Sequence, residues 1–285
     1  MTTFHGRKAA QIENGQLRVT VLEEGGHIAE ILDKRTGVNP LWIPPWRSIE
    51  PSTFDPKSDE WGTDSEAKLL CGIMGHNLCL DLFGGPSEAE EAAGWTVHGE
   101  GSVLPYAIEV LPNELRARVK LELAGLEFER RITLKKDGSV VLIAESVRNL
   151  QACDRALAWT EHATLGPPFL EHGVTQITHN GTRSMTIGRA DFEESDLEHE
   201  AEFAWPQAPG RSGELVDLSV FTKRTSSARF TTHRMDPGAE EAFASAYNPR
   251  LGCASRICGN EANFRGWVCG KRTGSGRRRP GMDGR

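Results

Sequence analysis

The sequence predicts an all-β protein, a single large antiparallel sandwich, on three observations. Apolar and polar residues alternate over many short segments. Glycine-rich and Asp-Gly turn signals separate those segments. No long stretch sustains a helical period. In order, Leu17–Leu22 (LRVTVL) alternates and runs into the Gly25-Gly26 turn, after which His27–Leu32 reads as a second strand. Asp33–Gly37 reads as a hairpin loop. Ala107–Leu111, Arg116–Leu123 and Leu126–Leu134 follow as consecutive strands. The Asp137-Gly138 turn then leads into Val140–Val147, which is rich in β-branched residues. Later candidates are Gln176–Thr178, Ser184–Ile187, Leu215–Thr222, Ala228–Thr232 and Ala242–Ala246. Residues 87–93 predict one or two helical turns, with Ser87 as cap and Glu90 three residues on. We read residues 1–250 as one sandwich domain and 251–285 as an aberrant basic tail.

Composition narrows the function. The chain has 285 residues, 26% charged and 38% hydrophobic, with a net charge of −7. Residues 253–285 carry eight Lys and Arg against two acidic residues, so the body before them is strongly acidic. That balance argues against nucleic acid as a partner. No apolar run reaches the ~18–20 residues of a membrane span, and the N-terminal stretch has no apolar signal region. A cytoplasmic, reducing location is expected. The six cysteines form no CxxC pair and no zinc spacing with histidine, so no metal is expected. Cys71, Cys79 and Cys153 read as small buried apolar residues.

Residues 39–64 hold five prolines and three tryptophans, which excludes a regular strand. A structured loop over a sheet fits better. Trp42, Trp46 and Trp61 are candidate aromatic walls for a sugar, or packing groups beneath the loop.

Three glycine-flanked segments concentrate polar groups. Gly72–Ser87 alternates around His76, Leu78 and Leu80 before breaking at Gly84-Gly85-Pro86. His76 and Asp81 have opposite parity in it, so only one should reach a shared cleft without a bulge. The second segment is Val97-His98-Gly99-Glu100. The third is Trp159-Thr160-Glu161-His162, running to Phe169.

These segments resemble, in order and spacing over roughly residues 12–250, the aldose 1-epimerase (galactose mutarotase) family. His98-Gly99 resembles its HG motif, and WTEHATLGPPF resembles the segment bearing its second histidine. Gly25–Ile28 with Asn39–Trp42 resembles its N-terminal hairpin and following loop. The match is nearer to a divergent branch than to the enzymes of free galactose. It implies a galactose-mutarotase-like β-supersandwich, a small-molecule carbohydrate substrate and no cofactor. Anomers would interconvert by acid/base ring opening, within carbohydrate metabolism. By resemblance His162 protonates the ring oxygen, and His98 orients that oxygen or a neighbouring hydroxyl. His76, Asp81, Glu161 and Trp46 are the further candidates for sugar contact. Arg47 and Lys68 are the cations near these motifs, and no cluster marks a phosphosugar site.

In the family the base is a glutamate on a late strand. Here that region is the tail, with three of the six cysteines and seven glycines in 33 residues, and without strand alternation. It reads as a candidate frameshift. Permitted codons for residues 252–272, read from their third bases, yield an alternating aromatic-rich string with a carboxylate pair. This requires the codons of Cys258, Arg265 and Cys269 to end in T, which the gene's DNA would show. As written, the base is missing, and Glu261 has nothing around it to mark it as a substitute. Catalysis is therefore in doubt, and a non-catalytic carbohydrate-binding protein on the same fold is the second reading. A glycoside hydrolase or lyase is the third. It needs two carboxylates about 5–10 Å apart, with Asp81, Glu100 and Glu161 as candidates.

Overall fold

The structure, a computed structural model, describes residues 2–187, 195–222, 228–236, 238–260 and 266–272. The chain divides into two compact units, Met1–Pro167 and Pro168–Arg285. Both are built of antiparallel strands, as the alternation predicts.

In the first unit, β1 (Thr2–Phe4), β2 (Arg7–Glu13), β3 (Leu17–Leu22), β4 (Ile28–Asp33) and β5 (His76–Leu80) lie side by side in that order. A second sheet of four follows: β6 (Ala107–Leu111), β7 (Glu114–Leu121), β8 (Leu126–Leu134) and β9 (Val141–Asn149). The next strand, β10 (Trp159–Ala163), returns to the first sheet and pairs with β5. Facing residues of the two sheets interdigitate. Val19, Val21, Ile28, Leu78 and Leu80 from the first meet Leu115, Leu121, Phe128 and Ile132 from the second, all buried. Removing this apolar surface from water drives the unit's folding.

The irregular stretch after β4 is anchored by a buried cation. Arg7 has no exposed surface; it donates to Glu50 Oε2 at 2.8 Å, Gly72 O at 2.6 Å and Glu24 O at 2.8 Å. Trp61 is buried beside Ala67 and Cys71 and donates to Arg47 O at 3.2 Å. A one-turn helix, α1 (Ala67–Leu70), follows. The next helix, α2 (Glu88–Ala92), begins with the predicted box: Ser87 accepts from the Glu90 N–H, and the Glu90 carboxylate accepts from the Ser87 N–H.

The second unit contains β11 (Gln176–His179), β12 (Gly181–Thr186), β13 (Glu202–Phe203), β14 (Gln207–Pro209), β15 (Leu215–Asp217), β16 (Ala228–Met235), β17 (Glu241–Asn248), β18 (Cys253–Asn260) and β19 (Gly266–Arg272). Its sheets are β11-β17-β18, β13-β12-β16-β19 and the pair β14-β15. The strand expected over 215–222 stops at Asp217. There Asp217 Oδ1 accepts from the Ser219 N–H at 2.8 Å and turns the chain.

The segment read as lacking strand alternation carries β18 and β19. β18 pairs with β17 over eight positions, and β19 with β16 over seven. Backbone pairing along a neighbouring strand does not require large side chains, and the small ones of β18 hide its period. In β18 the more buried positions are Cys253, Ser255 and Ile257, and the exposed ones Ala254, Arg256 and Cys258. Arg256 lies over the Phe243 ring at 4.1 Å and pairs with Glu241 at 2.6 Å. Glu261 and Arg265 lie outside the described residues. Cys71 and Cys79 are buried as expected, but Cys153 is exposed, because it sits in the bend after β9 rather than on a sheet face.

Candidate functional site

The site forms where β5 and β10 meet the loop holding His98. Asn77 and His162 are register partners across this strand pair, so their side chains leave on the same face. His98 lies on a sharp loop, in the left-handed region at φ 67°. Such a backbone costs on the order of 1–3 kcal/mol for a non-glycine residue and persists only where its surroundings enforce it. Gly99 follows at φ 79°, and a Cβ there would lie 2.5 Å from Leu80 O. Gly99 of the HG pair is thus a backbone requirement, since only glycine lets the loop press on the end of β5.

Two imidazoles that are 64 positions apart in the chain are brought together. The His98 and His162 ring centroids are 5.1 Å apart, at 34° between planes. Phe83 stacks on His98 at 5.2 Å and lies 6.2 Å from His162, and it keeps 43% of its surface exposed. Both imidazoles are half-buried. Each is anchored through Nδ1. His98 Nδ1 accepts from the Gly84 N–H at 3.1 Å, and His162 Nδ1 meets Asn77 Oδ1 at 3.1 Å. Asn77 Nδ2 donates to Ser102 Oγ at 3.1 Å, and that hydroxyl donates to Leu78 O at 2.5 Å. Burial, then the neighbouring His162, lowers the His98 pKa to about 4. Burial, then His76, lowers that of His162. Both rings are therefore neutral near pH 7, lined by an aromatic face.

The other expected contacts do not stand with this pair. His76 and Glu161 project from the opposite face of the β5–β10 pair, because strand side chains alternate and their parity differs from that of Asn77 and His162. They belong to a buried network between the two sheets. Glu161 Oε2 accepts from Arg130 Nη2 and meets His76 Nε2, both at 2.7 Å, and Glu161 Oε1 accepts from Trp159 Nε1 at 3.2 Å. Arg130 also donates to Glu145 Oε1 at 2.5 Å and to Gly26 O at 3.1 Å. Burial pushes the Glu161 carboxyl up, but Arg130 and His76 outweigh it and hold it below the ordinary carboxylate range. Burial, opposed by Arg130 and helped by Glu161, lifts Glu145 above the ordinary carboxylate range.

Asp81 accepts from the Ala158 N–H at 2.6 Å and pairs with Arg155, a structural anchor. Trp46 donates to Leu70 O at 3.0 Å and packs edge-on to Trp42. It lines a cavity of about 530 Å³ with His5, Arg47 and Glu50, whose lining includes neither His98 nor His162. Glu100 is buried and accepts from the Ala124 N–H at 2.9 Å. Asp81, Glu100 and Glu161 are thus each held by internal partners. Among the described residues no group of three or more His, Cys, Asp or Glu could hold a metal, and no helix is long and apolar enough to cross a membrane.

Sequence reasoning missed Asn77, Ser102, Arg130 and Glu145. Arg130 had a legible signal: it occupies the inward position of β8 between Phe128 and Ile132, where an arginine needs buried counter-charges. Asn77 and Ser102 had none, because their pairing depends on the β5–β10 register and a loop.

Other imidazoles are also buried neutral. His27 accepts from the Met74 N–H at 3.2 Å and donates to Ser102 O at 2.9 Å. Burial, then Arg7, lowers it to about 3. In the second unit burial lowers His179 to about 4 and His233 to about 3. A folded pKa below the unfolded value near 6.5 means the unfolded chain binds more protons as pH falls from 6.5 towards 4. Stability should therefore drop across that window, with His27 alone contributing a slope of ~1.4 kcal/mol per pH unit. Glu145 and Glu100, both raised by burial, act in the opposite direction, two groups against five. Denaturant midpoints at pH 7, 6 and 5 check this: a steady fall is expected, and a flat profile would refute it.

No family model matches the chain, and no curated protein is a significant match to its sequence. Solved structures do match. A galactose mutarotase related enzyme from Lactobacillus acidophilus aligns with TM-score 0.51 at 11% identity, over 85% of this chain and 74% of that one. A galactose mutarotase-like protein from Lactobacillus casei aligns with TM-score 0.49 at 9% identity, over 92% and 100%. At such identities the likeness is one of fold. The chain has the mutarotase-like β-sandwich fold.

Proposed function

We propose that the first unit binds a pyranose at the His98–His162 opening and interconverts its anomers, as an aldose 1-epimerase-like isomerase of a divergent branch. The observation that carries this reading is the convergence of two neutral imidazoles, each anchored through Nδ1, at 5.1 Å beside the exposed Phe83 face. Mutarotation needs a proton removed from the C1 hydroxyl and one supplied to the ring oxygen. Imidazoles suit both transfers near neutral pH. An aromatic face suits the apolar C–H side of a pyranose. The reaction calls for a small-molecule carbohydrate and for no cofactor, metal, nucleic acid or membrane. A cytoplasmic setting fits a set of cysteines without any CxxC pair.

One observation favours a second reading, a non-catalytic carbohydrate-binding protein. Among the described residues neither imidazole is paired with a carboxylate, and Glu161 is held on the other sheet face. Exchange spectroscopy on the α and β anomers of aldohexoses separates the two. Faster anomer exchange with the protein supports the isomerase. Saturation transfer to the sugar without faster exchange leaves only binding.

A further inference from the structure

Two backbone groups fix the protonation pattern of the pair, because a carbonyl can only accept and an N–H can only donate. Leu78 O takes the single hydroxyl proton of Ser102 at 2.5 Å. Ser102 Oγ must then accept from Asn77, so the Asn77 amide NH₂ faces Ser102 and its Oδ1 faces His162. His162 Nδ1 must therefore donate to Asn77 Oδ1, with the Thr164 hydroxyl oxygen at 3.4 Å as a second, longer acceptor, which leaves Nε2 with a free lone pair. At His98 the polarity is opposite. The Gly84 N–H donates to Nδ1, so a neutral His98 carries its proton on Nε2.

We infer that Asn77, set by Ser102, is a positioning residue that makes His162 the proton acceptor of the site, while the Gly84 N–H makes His98 its hydrogen-bond donor. This rests on the isomerase reading, and it reverses the roles implied by resemblance. His162 Nε2 takes the C1 hydroxyl proton. The O1 lone pair forms the C1=O1 double bond, and the C1–O5 bond breaks with its electron pair going to O5. O5 is held by the His98 Nε2–H and receives the proton back from His162, whose ring returns to neutral. His98 keeps its proton throughout, as a neutral imidazole acting as electrophile. No carboxylate is needed, so the step does not depend on a late glutamate.

The test is nitrogen-15 NMR of the imidazoles in the full chain without sugar. The expected result is His162 protonated on Nδ1 and His98 on Nε2. Wild-type protein with His162 protonated on Nε2, or His98 on Nδ1, would overturn the inference. In Asn77→Leu, His162 should move to the Nε2–H form while His98 stays unchanged; an unmoved His162 would refute the role of Asn77. Asn77→Asp retains an acceptor and should keep His162 protonated on Nδ1, an outcome that a merely structural role would not require. Because no sugar is present, these tautomers can fail while anomer exchange persists, or hold while exchange is absent.

Discussion

Replacing His162 by alanine should lower the rate of anomer exchange by about 10²–10⁴-fold, the range for loss of one positioned proton-transfer group. This corresponds to roughly 3–5 kcal/mol of barrier. The expectation follows from its place: His162 lies on a paired strand, its Nδ1 is consumed by Asn77, and its remaining nitrogen is the one available to a ligand. His98→Ala removes a hydrogen-bond donor rather than a proton carrier, so it should cost less, about 10²–10³-fold. Rates measured by exchange spectroscopy at saturating sugar check both. A His162→Ala protein that exchanges anomers at the wild-type rate would eliminate the assigned chemistry, and a larger loss in His98→Ala would reverse the two roles.

The second large effect is on stability. Arg130→Met should destabilise the first unit by about 3–5 kcal/mol, the cost of breaking a buried ion pair from one side. Arg130 is fully buried and holds Glu145 at 2.5 Å and Glu161 at 2.7 Å. Without it two carboxylates face each other between the sheets, with Glu161 left to hydrogen bonds from His76 and Trp159. One must then stay protonated or the sheets must part. Adding Glu145→Gln to Arg130→Met removes one of the two charges and should restore part of the loss. Thermal unfolding of the single and double variants measures this. By contrast, the exposed Arg148–Glu127 pair should contribute nothing measurable. An Arg130→Met protein as stable as wild type would show that the network is not what ties the sheets together.

The strands that could be read from sequence are those whose period is carried by large residues. β3, β6 and β8 begin and end where alternation predicts, and α2 begins at its capping box. β10 was legible only as a motif, because WTEHA places Thr160 and His162 on one face and Trp159 and Glu161 on the other, with no apolar side to mark. The same alternation divides the expected site. His98 and His162 meet, while His76 and Glu161 leave by the opposite face. Parity within one segment warned of such a division for His76 and Asp81. For His76 and His162 the deciding quantity is the register between two strands about eighty residues apart, to which local pattern is blind. The late strand β18 escaped notice because glycine, alanine, serine and cysteine do not display a hydrophobic period, and β19 because its large residues, Trp267-Val268 and Lys271-Arg272, stand side by side instead of alternating.

The central claim is that the His98 and His162 rings form one opening that takes a sugar. Following the Cε1–H signals of both rings by NMR while an aldohexose is added tests it most directly. Both signals should move together and saturate at a common concentration, with His27 and His233, which lie at internal hydrogen bonds, unmoved. Sugar binding that shifts neither ring, or only one of them, would contradict the account.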